Sequence, residues 1–542
     1  MSRDEREYEP ESFDDGEPDN SAEDFFNLHG EVEEQVRAAL GERGPVPTRE
    51  EIVEPDPTGE IASATADLDD QEDLLAHSDQ NLDLDAVEDI LNLRWPETKI
   101  EPSLHRISRL LQVLGSPETS YPVIQVAGTN GKTSTARMID ALISRIGLRT
   151  GRFTSPHLQS VTERISLDAL PISEDDYVRT FADISPFIDL VDAESLREGG
   201  VALSKFEILT AMAYAAFADA PVEVAVVEVG LGGTWDSTNV VDAHVAVIAP
   251  VGMDHMHYLG DTITAIAGEK AGIIKVGATV IIAEQESAAM DVIIARAVAM
   301  DATVARYGSE FSVLHRDVAV GGQRLTLQGL GGTYEDIFLP LHGTYQAHNA
   351  AVALAAVEAF FGAGPGKALD LGAIQDGFAA VASPGRLERI GSQPTILIDA
   401  AHNPHGAKAL AVALTEEFSF SRLVGVIAIM GDKDARGILT ALVDSFDAVV
   451  VTTNSSPRTM NLDDLAALAV EIFGEERVHT ARHMRAALAL ATELAGTDQA
   501  DSANADSADS EAANADSGSG IVVTGSVVSA GDARALAGRQ IQ

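Results

Sequence analysis

The chain has 542 residues, room for two or three domains with sizeable cores, and its 85 acidic against 37 basic side chains give a formal net charge of −48. It has no cysteine, which excludes disulfide frameworks, thiolate metal sites and cysteine nucleophiles and fits a reducing compartment. No basic patch offsets the acidic charge, so a nucleic-acid partner is not expected, and no apolar run approaches the ~18 residues of a membrane span.

The acid is concentrated in two places. Residues 1–90 hold 30 acidic and 5 basic residues, and 497–520 hold six acids and no base. Both stretches are poor in aromatic and β-branched residues, so they cannot bury enough apolar surface to offset ordering entropy. Residues 1–85 read as an acidic disordered tail and 497–520 as a disordered insertion before the last strand. Within the tail, 24–40 has the pattern of one amphipathic helix. The N-terminus is charged where a signal peptide needs an apolar stretch, so a cytoplasmic protein without a membrane partner is expected.

Residues 121–127 predict a buried strand and 135–143 an amphipathic helix. Between them lies Gly128-Thr-Asn-Gly-Lys-Thr-Ser134. Strand, glycine loop, lysine and helix together make an anion site, in which backbone N–H groups point at phosphate and Lys132 adds a mobile positive charge. Gly128 and Gly131 let the backbone approach without a Cβ clash. A hydroxyl on Thr133 or Ser134 is placed to reach a phosphate-bound Mg2+. The full G-x-x-x-x-G-K-[ST] pattern needs glycine at 126, where this chain has Val126, so the loop is a shorter variant.

Strand-length apolar runs recur at 222–229, 244–251 and 278–283. A second series at 395–400, 423–429, 448–453 and 521–524 alternates with helical patterns at 405–417, 462–473 and 484–495. Alternating βα units imply an α/β fold of mostly parallel sheets covered on both faces. The linker punctuation of Ala382-Ser-Pro-Gly-Arg386 divides the folded part into two domains, 86–383 and 384–542.

Three more loops follow predicted strands of the first domain. Ser155 stands in Phe153-Thr-Ser-Pro-His-Leu158, Glu228 ends the strand in Val226-Val-Glu-Val-Gly-Leu-Gly-Gly233, and His255 stands in the loop from Pro250 to Gly260. Ligands of open α/β sheets collect at the carboxyl ends of strands, so these loops should converge on the glycine loop. A cation would relieve the cost of a carboxylate at Glu228 beside apolar neighbours, and oxygen ligands suit Mg2+. Each residue has a plainer alternative: a strand-end ion pair for Glu228, a loop histidine for His255, a helix cap for Ser155. Their shared position favours metal-dependent phosphoryl chemistry.

These motifs occur in a fixed order with Asp236-Ser-Thr-Asn239, Gly268-Glu-Lys-Ala-Gly-Ile273, His348-Asn-Ala-Ala351, Pro384-Gly-Arg386 and Asp399-Ala-Ala-His-Asn-Pro404. From about Leu82 to the last strand, outside the insertion, the chain resembles a folylpolyglutamate synthase of the bifunctional dihydrofolate synthase type, in the Mur ligase superfamily. The resemblance implies a P-loop ATPase domain of Mur-ligase type followed by a smaller Rossmann-like α/β domain. It implies ATP contacts at Gly128, Thr129, Asn130, Gly131, Lys132, Thr133, Ser134, Asn349, Arg386 and Asp399, and Mg2+ ligands at Ser155, Glu228 and His255. Lys270 matches a lysine that is carbamylated in the superfamily and would hold a second Mg2+, which places it with Lys132, Glu228 and His255 among the catalytic groups. Ser103, Arg106, Phe206, Glu207, Trp235, Asp236, Ser237 and His402 match substrate-binding segments. Thr234 departs from the pattern, since many relatives have a basic residue there.

The implied reaction is ATP-dependent ligation of L-glutamate to dihydropteroate or folate through an acyl phosphate, by a monomer. The alternative is another Mur-superfamily ligase acting on UDP-muramyl acceptors. That enzyme would add a UDP-binding domain, and residues 1–85 are too polar to supply one. A non-catalytic nucleotide module would tolerate loss of the metal residues, all of which are present here.

Overall fold

A computed structural model describes residues 82–95, 102–496 and 518–541. The proposed tail helix at 24–40 and nearly all of the acidic insertion lie outside the described residues. Ser519 and Gly520, expected inside the insertion, already pair with Arg422 and Leu423 as the start of the last strand. The helix Leu84–Asn92 straddles the expected start of the folded part: Asp83 caps it, and Val87 and Leu91 are fully buried.

The first sheet contains β1 (Val123–Ala127), β2 (Thr150–Phe153), β3 (Ile165–Leu167), β4 (Leu170–Pro171), β5 (Val224–Glu228), β6 (Val245–Ile248), β7 (Thr279–Ile282) and β8 (Thr303–Arg306). Their order is β4-β3-β2-β5-β1-β6-β7-β8. All neighbours are parallel except the β2–β3–β4 ribbon. β1, β5 and β6 are buried at every position, as continuous apolar runs covered by helices on both faces should be. β1 lies between β5 and β6, with Val126 in register with both Glu228 and Val247. The glycine loop, Glu228 and the 250–260 loop therefore leave the sheet side by side at its carboxyl edge.

A three-stranded antiparallel sheet follows, formed by β9 (Ser312–Ala319), β10 (Gly322–Gln328) and β11 (Thr333–Leu339). The α/β reading of the sequence did not include it. Its strands alternate exposed and buried residues rather than forming long apolar runs, and one face packs on the first domain's core through Leu325, Leu327, Ile337 and Leu339.

The chain crosses to the second domain between the helix Leu371–Ala379 and β12 (Glu388–Ser392). β13 (Thr395–Ile398), β14 (Arg422–Ile427), β15 (Ala448–Val451), β16 (Val478–Thr480) and β17 (Ser519–Thr524) complete a sheet of order β12-β13-β17-β14-β15-β16, antiparallel only at β12. The helices Pro404–Glu417, Leu462–Phe473 and Met484–Gly496 fall where the sequence predicts them. Among the described residues no helix is long and apolar enough to cross a membrane.

Candidate active site

The carboxyl edges of the two large sheets face one cleft of about 1530 Å3. Every residue expected at the site lines it except Gly128 and Lys270, which lie behind its wall, joined by a hydrogen bond from Lys270 Nζ to Gly128 O at 2.8 Å.

Gly131, at φ +84°, caps the helix Lys132–Ile146. A Cβ at Gly128 would stand 2.7 Å from the Ala249 Cβ, so close approach requires glycine there, while Gly131 is required by its left-handed backbone, with Asn349 Oδ1 2.7 Å from where a Cβ would be. The amides of Thr129 and Asn130 donate to Pro250 O at 2.9 and 3.3 Å. Contacts from the loop backbone to a phosphate thus fall to the helix N-terminus, from Gly131 onward. Lys132 Nζ folds back over the loop, 3.1 Å from Gly128 O and 3.4 Å from Thr129 O. Two lysines therefore converge on one carbonyl. Burial holds Lys132 below the usual lysine range, although Glu228 and Asp254 pull it up. Lys270 is pushed down to about 7, first by burial and then by the charge of Lys132.

Glu228 is 1 % exposed. Its Oε1 accepts from the Thr133 hydroxyl at 2.9 Å, and its Oε2 from the Ser155 amide at 3.4 Å. Burial raises its pKa against the lowering charge of Lys132. A buried carboxylate held by one side-chain hydroxyl and one backbone amide, with a lysine nearby, fits a hard cation that shares its shell with phosphate oxygens. Among the described residues no three His, Asp or Glu side chains converge as a ready-made metal cage. His255 lines the same cleft, with its Nε2 3.2 Å from Lys433 Nζ. Its backbone is left-handed at φ +51°, an unusual conformation for a residue other than glycine, and burial pushes its ring down to about 4.

At the other end of the cleft, Arg106 pairs with Glu207 at 3.1 Å, and Glu207 also closes a capping box with Ser204. Phe206 lies over Gly230, where a Cβ would meet its ring at 2.5 Å. Asp236 accepts from Leu231 N and Thr238 N at 2.8 and 3.0 Å. Ser237 opens the short helix that follows, and the Ser103 hydroxyl accepts from His105 N at 3.1 Å. Trp235 packs against Gly232, and Thr234 is turned onto the Glu269 carbonyl.

From the second domain, Asp399 receives Leu387 N and Ala401 N, both at 2.9 Å. Burial raises its pKa and the charge of Arg386 opposes that. The His402 ring donates from Nδ1 to Ala400 O, 3.0 Å away, and burial pushes its pKa down to about 4. The group that the sequence did not single out is Lys433, whose Nζ is 2.9 Å from Asp254 Oδ1. Asn403 bridges Asp254 and Asn130 at 3.0 and 3.1 Å. Burial works against ionisation of Asp254, but His255, Lys433 and His402 outweigh it and hold the carboxyl well below the usual range. Lys433 had a legible signal: Asp432-Lys433-Asp434 is a charged run directly after an apolar strand, the same position as the other site loops. Lys433→Met is expected to cut turnover by roughly ten-fold or more through the loss of a charged hydrogen bond across the cleft, with nucleotide affinity nearly unchanged. Titration of nucleotide binding beside steady-state rates checks the split.

Two parallel-sheet domains with a phosphate loop on one wall of their shared cleft define a two-domain nucleotide-dependent ligase. The Mur ligase middle domain model matches residues 204–357, and the Mur ligase glutamate ligase domain model matches 385–501. The dihydrofolate synthase/folylpolyglutamate synthase of Mycobacterium tuberculosis is 57% identical over 465 residues, covering 84% of this chain and 94% of that protein. The crystal structure of M. tuberculosis folylpolyglutamate synthase with ADP and AMPPCP superposes with a TM-score of 0.78 at 56% identity, over 85% of this chain and 99% of that one. Escherichia coli FolC in complex with DHPP and ADP superposes with a TM-score of 0.70 at 29% identity, over 84% and 97% of the two chains. The chain belongs to the dihydrofolate synthase/folylpolyglutamate synthase family of Mur ligases, and it is an ATP-dependent acid–amino-acid ligase.

Proposed function

We propose that this ligase joins L-glutamate to dihydropteroate and to reduced folates at the cleft between its two domains. One observation carries the reading. The phosphate loop, the buried Glu228 and the 103–106, 204–207 and 235–237 segments open into the same cleft, and the second domain forms its far wall. ATP placed on the helix N-terminus and Lys132 brings its γ-phosphate beside Glu228 and Thr133. The substrate carboxylate attacks the γ-phosphorus and ADP departs, leaving an acyl phosphate. The amino group of glutamate then attacks the acyl carbon and phosphate departs. Lys132 neutralises charge on the transferring group, which is mainly positional catalysis. Arg386, Asp399 and Asn349 reach the nucleotide, the first two from the second domain, so the acyl phosphate forms only where that domain shields it from water.

Thr133, Ser155 and Glu228 would hold Mg2+, with His255 joining them once its ring leaves Lys433; the ion supplies charge neutralisation at the phosphates. Lys270 is suited to carbamylation. Its pKa near 7 leaves much of the amine neutral at physiological pH, and only the neutral nitrogen can attack CO2. The nitrogen loses a proton on forming the N–C bond, and the remaining N–H can still donate to Gly128 O. The resulting carboxylate could hold a second Mg2+. A carbamate signal from 13C-bicarbonate is expected in the wild type, growing as pH rises through 7, and absent from Lys270→Arg. No signal at pH 8 would leave Lys270 as a simple amine.

We place the protein in the cytoplasm as a monomer, and size measurement in solution tests the second point. ADP release measured across dihydropteroate, reduced folates and UDP-muramyl acceptors, each with and without L-glutamate, tests the reaction. Release is expected only with a pterin acid and glutamate together, and product masses should show glutamyl additions. Glutamine should substitute poorly, because a site that pairs a side-chain carboxylate leaves its charged partner unmatched by an amide. Turnover with UDP-muramyl acceptors and none with any pterin would assign the chain to muramyl chemistry instead.

A further inference from the structure

The loop at 155–160 ties together two parts of the molecule that no sequence motif connects. At one end the Ser155 amide reaches Glu228 Oε2 at 3.4 Å. At the other, Leu158 packs against the core of the second domain, and Gln159 meets Arg534 and, at 3.4 Å, the Arg539 carbonyl. Glu163, 5 % exposed, holds the far end of this loop. Its carboxylate accepts from three consecutive amides, Leu158 N and Gln159 N at 2.8 Å and Ser160 N at 3.0 Å. A capping box explains only the Ser160 contact, since the other two amides precede the cap. Arg164 Nε fixes the same loop by donating to His157 Nδ1 at 3.0 Å. The far end has no slack: a Cβ on Gly531, within the helix Val527–Leu536, would stand 2.1 Å from Leu158 O.

We propose that this loop is a strut through which the seating of the second domain sets the position of Ser155 against Glu228, and that Glu163 is the positioning residue that stiffens it. The buried carboxylate grips the N–H groups of 158–160 and Arg164 holds His157, which leaves only Pro156 between this fixed stretch and Ser155, so a displacement at Leu158 is carried to Ser155 rather than absorbed. At Gly531 the helix Val527–Leu536 lies directly against the strut's backbone, so the seating of the second domain and the position of the strut are set together. The proposal rests on the reading of Ser155 and Glu228 as metal-binding groups, and it adds residues outside that site to the machinery that shapes it.

The test uses the full chain with Glu163→Gln, Gly531→Ala and Glu228→Gln. Three quantities are measured: Mg2+ affinity in the presence of AMPPCP by calorimetry, AMPPCP affinity without metal, and hydrogen exchange of the loop amides. In Glu163→Gln and Gly531→Ala, Mg2+ affinity is expected to fall by ~10–100-fold, as for partners that orient a metal ligand. Metal-free nucleotide affinity should stay near wild type, exchange at 157–160 should accelerate, and raised Mg2+ should restore part of the turnover. Gly531→Ala decides alone if Glu163→Gln does not fold. Wild-type Mg2+ affinity in a folded Gly531→Ala, with Glu228→Gln impaired, overturns the strut. Wild-type Mg2+ affinity in Glu228→Gln overturns the metal reading itself.

Discussion

Lys132→Ala should lose roughly a thousand-fold in turnover while the protein folds as well as the wild type or slightly better. The turnover loss follows from charge. The transferring phosphoryl group carries its negative charge on oxygens that Lys132 alone among the loop side chains can meet with a full positive charge, and a low-dielectric cleft magnifies that interaction. The stability effect has the opposite sign because burial lowers the pKa of this lysine. A lysine whose folded pKa is depressed binds fewer protons folded than unfolded. Its penalty is complete below the folded pKa and fades only as pH rises toward the unfolded value. Removing the ammonium removes that penalty at neutral pH. Thermal unfolding of the ligand-free variant beside ADP release checks both parts, and near-normal ADP release would show that the loop is not the phosphate site.

Glu228→Gln is expected to be comparably severe and to separate the two states of the enzyme further. Glutamine keeps the volume and can still accept from Thr133, but it removes the charge that a cation requires. Turnover should fall by two orders of magnitude or more, roughly the loss seen when a preorganised charge is removed from a transition state. In metal-free buffer the variant should be at least as stable as the wild type. Burial raises the pKa of Glu228, so the folded state holds its proton more tightly than the unfolded chain. Its contribution to stability is therefore most favourable at low pH and declines as pH rises through the carboxylate range. With Mg2+ and AMPPCP the order should reverse, because only the wild type gains binding energy from the ion. A variant that is destabilised without metal and unchanged in its response to metal would make Glu228 a structural ion-pair partner.

The strand, glycine loop and helix at 123–146 were legible in the sequence because their signals are local. A buried strand, two glycines, a lysine and a helix lie within a dozen consecutive residues; the space at the two glycines is taken by Ala249 and Asn349, which only the fold brings there. The parallel strands were equally legible, since burial on both faces leaves continuous apolar runs such as Val224–Glu228. The antiparallel sheet of β9 to β11 was not. Its residues are half exposed, and its register depends on one face meeting the first domain's core.

By itself, the sequence of this protein determined the nucleotide loop, the two α/β halves and the family order of the motifs, because each rests on neighbours along the chain. Only the tertiary structure decided which groups meet across the cleft. Asp254 stands in the sequence beside His255 in one loop motif, and nothing there says what it meets: Lys433 and Asn403 come to it from 179 and 149 residues away. Likewise, Gly531 has no local reason to be glycine until Leu158 O is found where its side chain would be. Such contacts depend on how two separately folded sheets dock, and no periodicity along the chain records that.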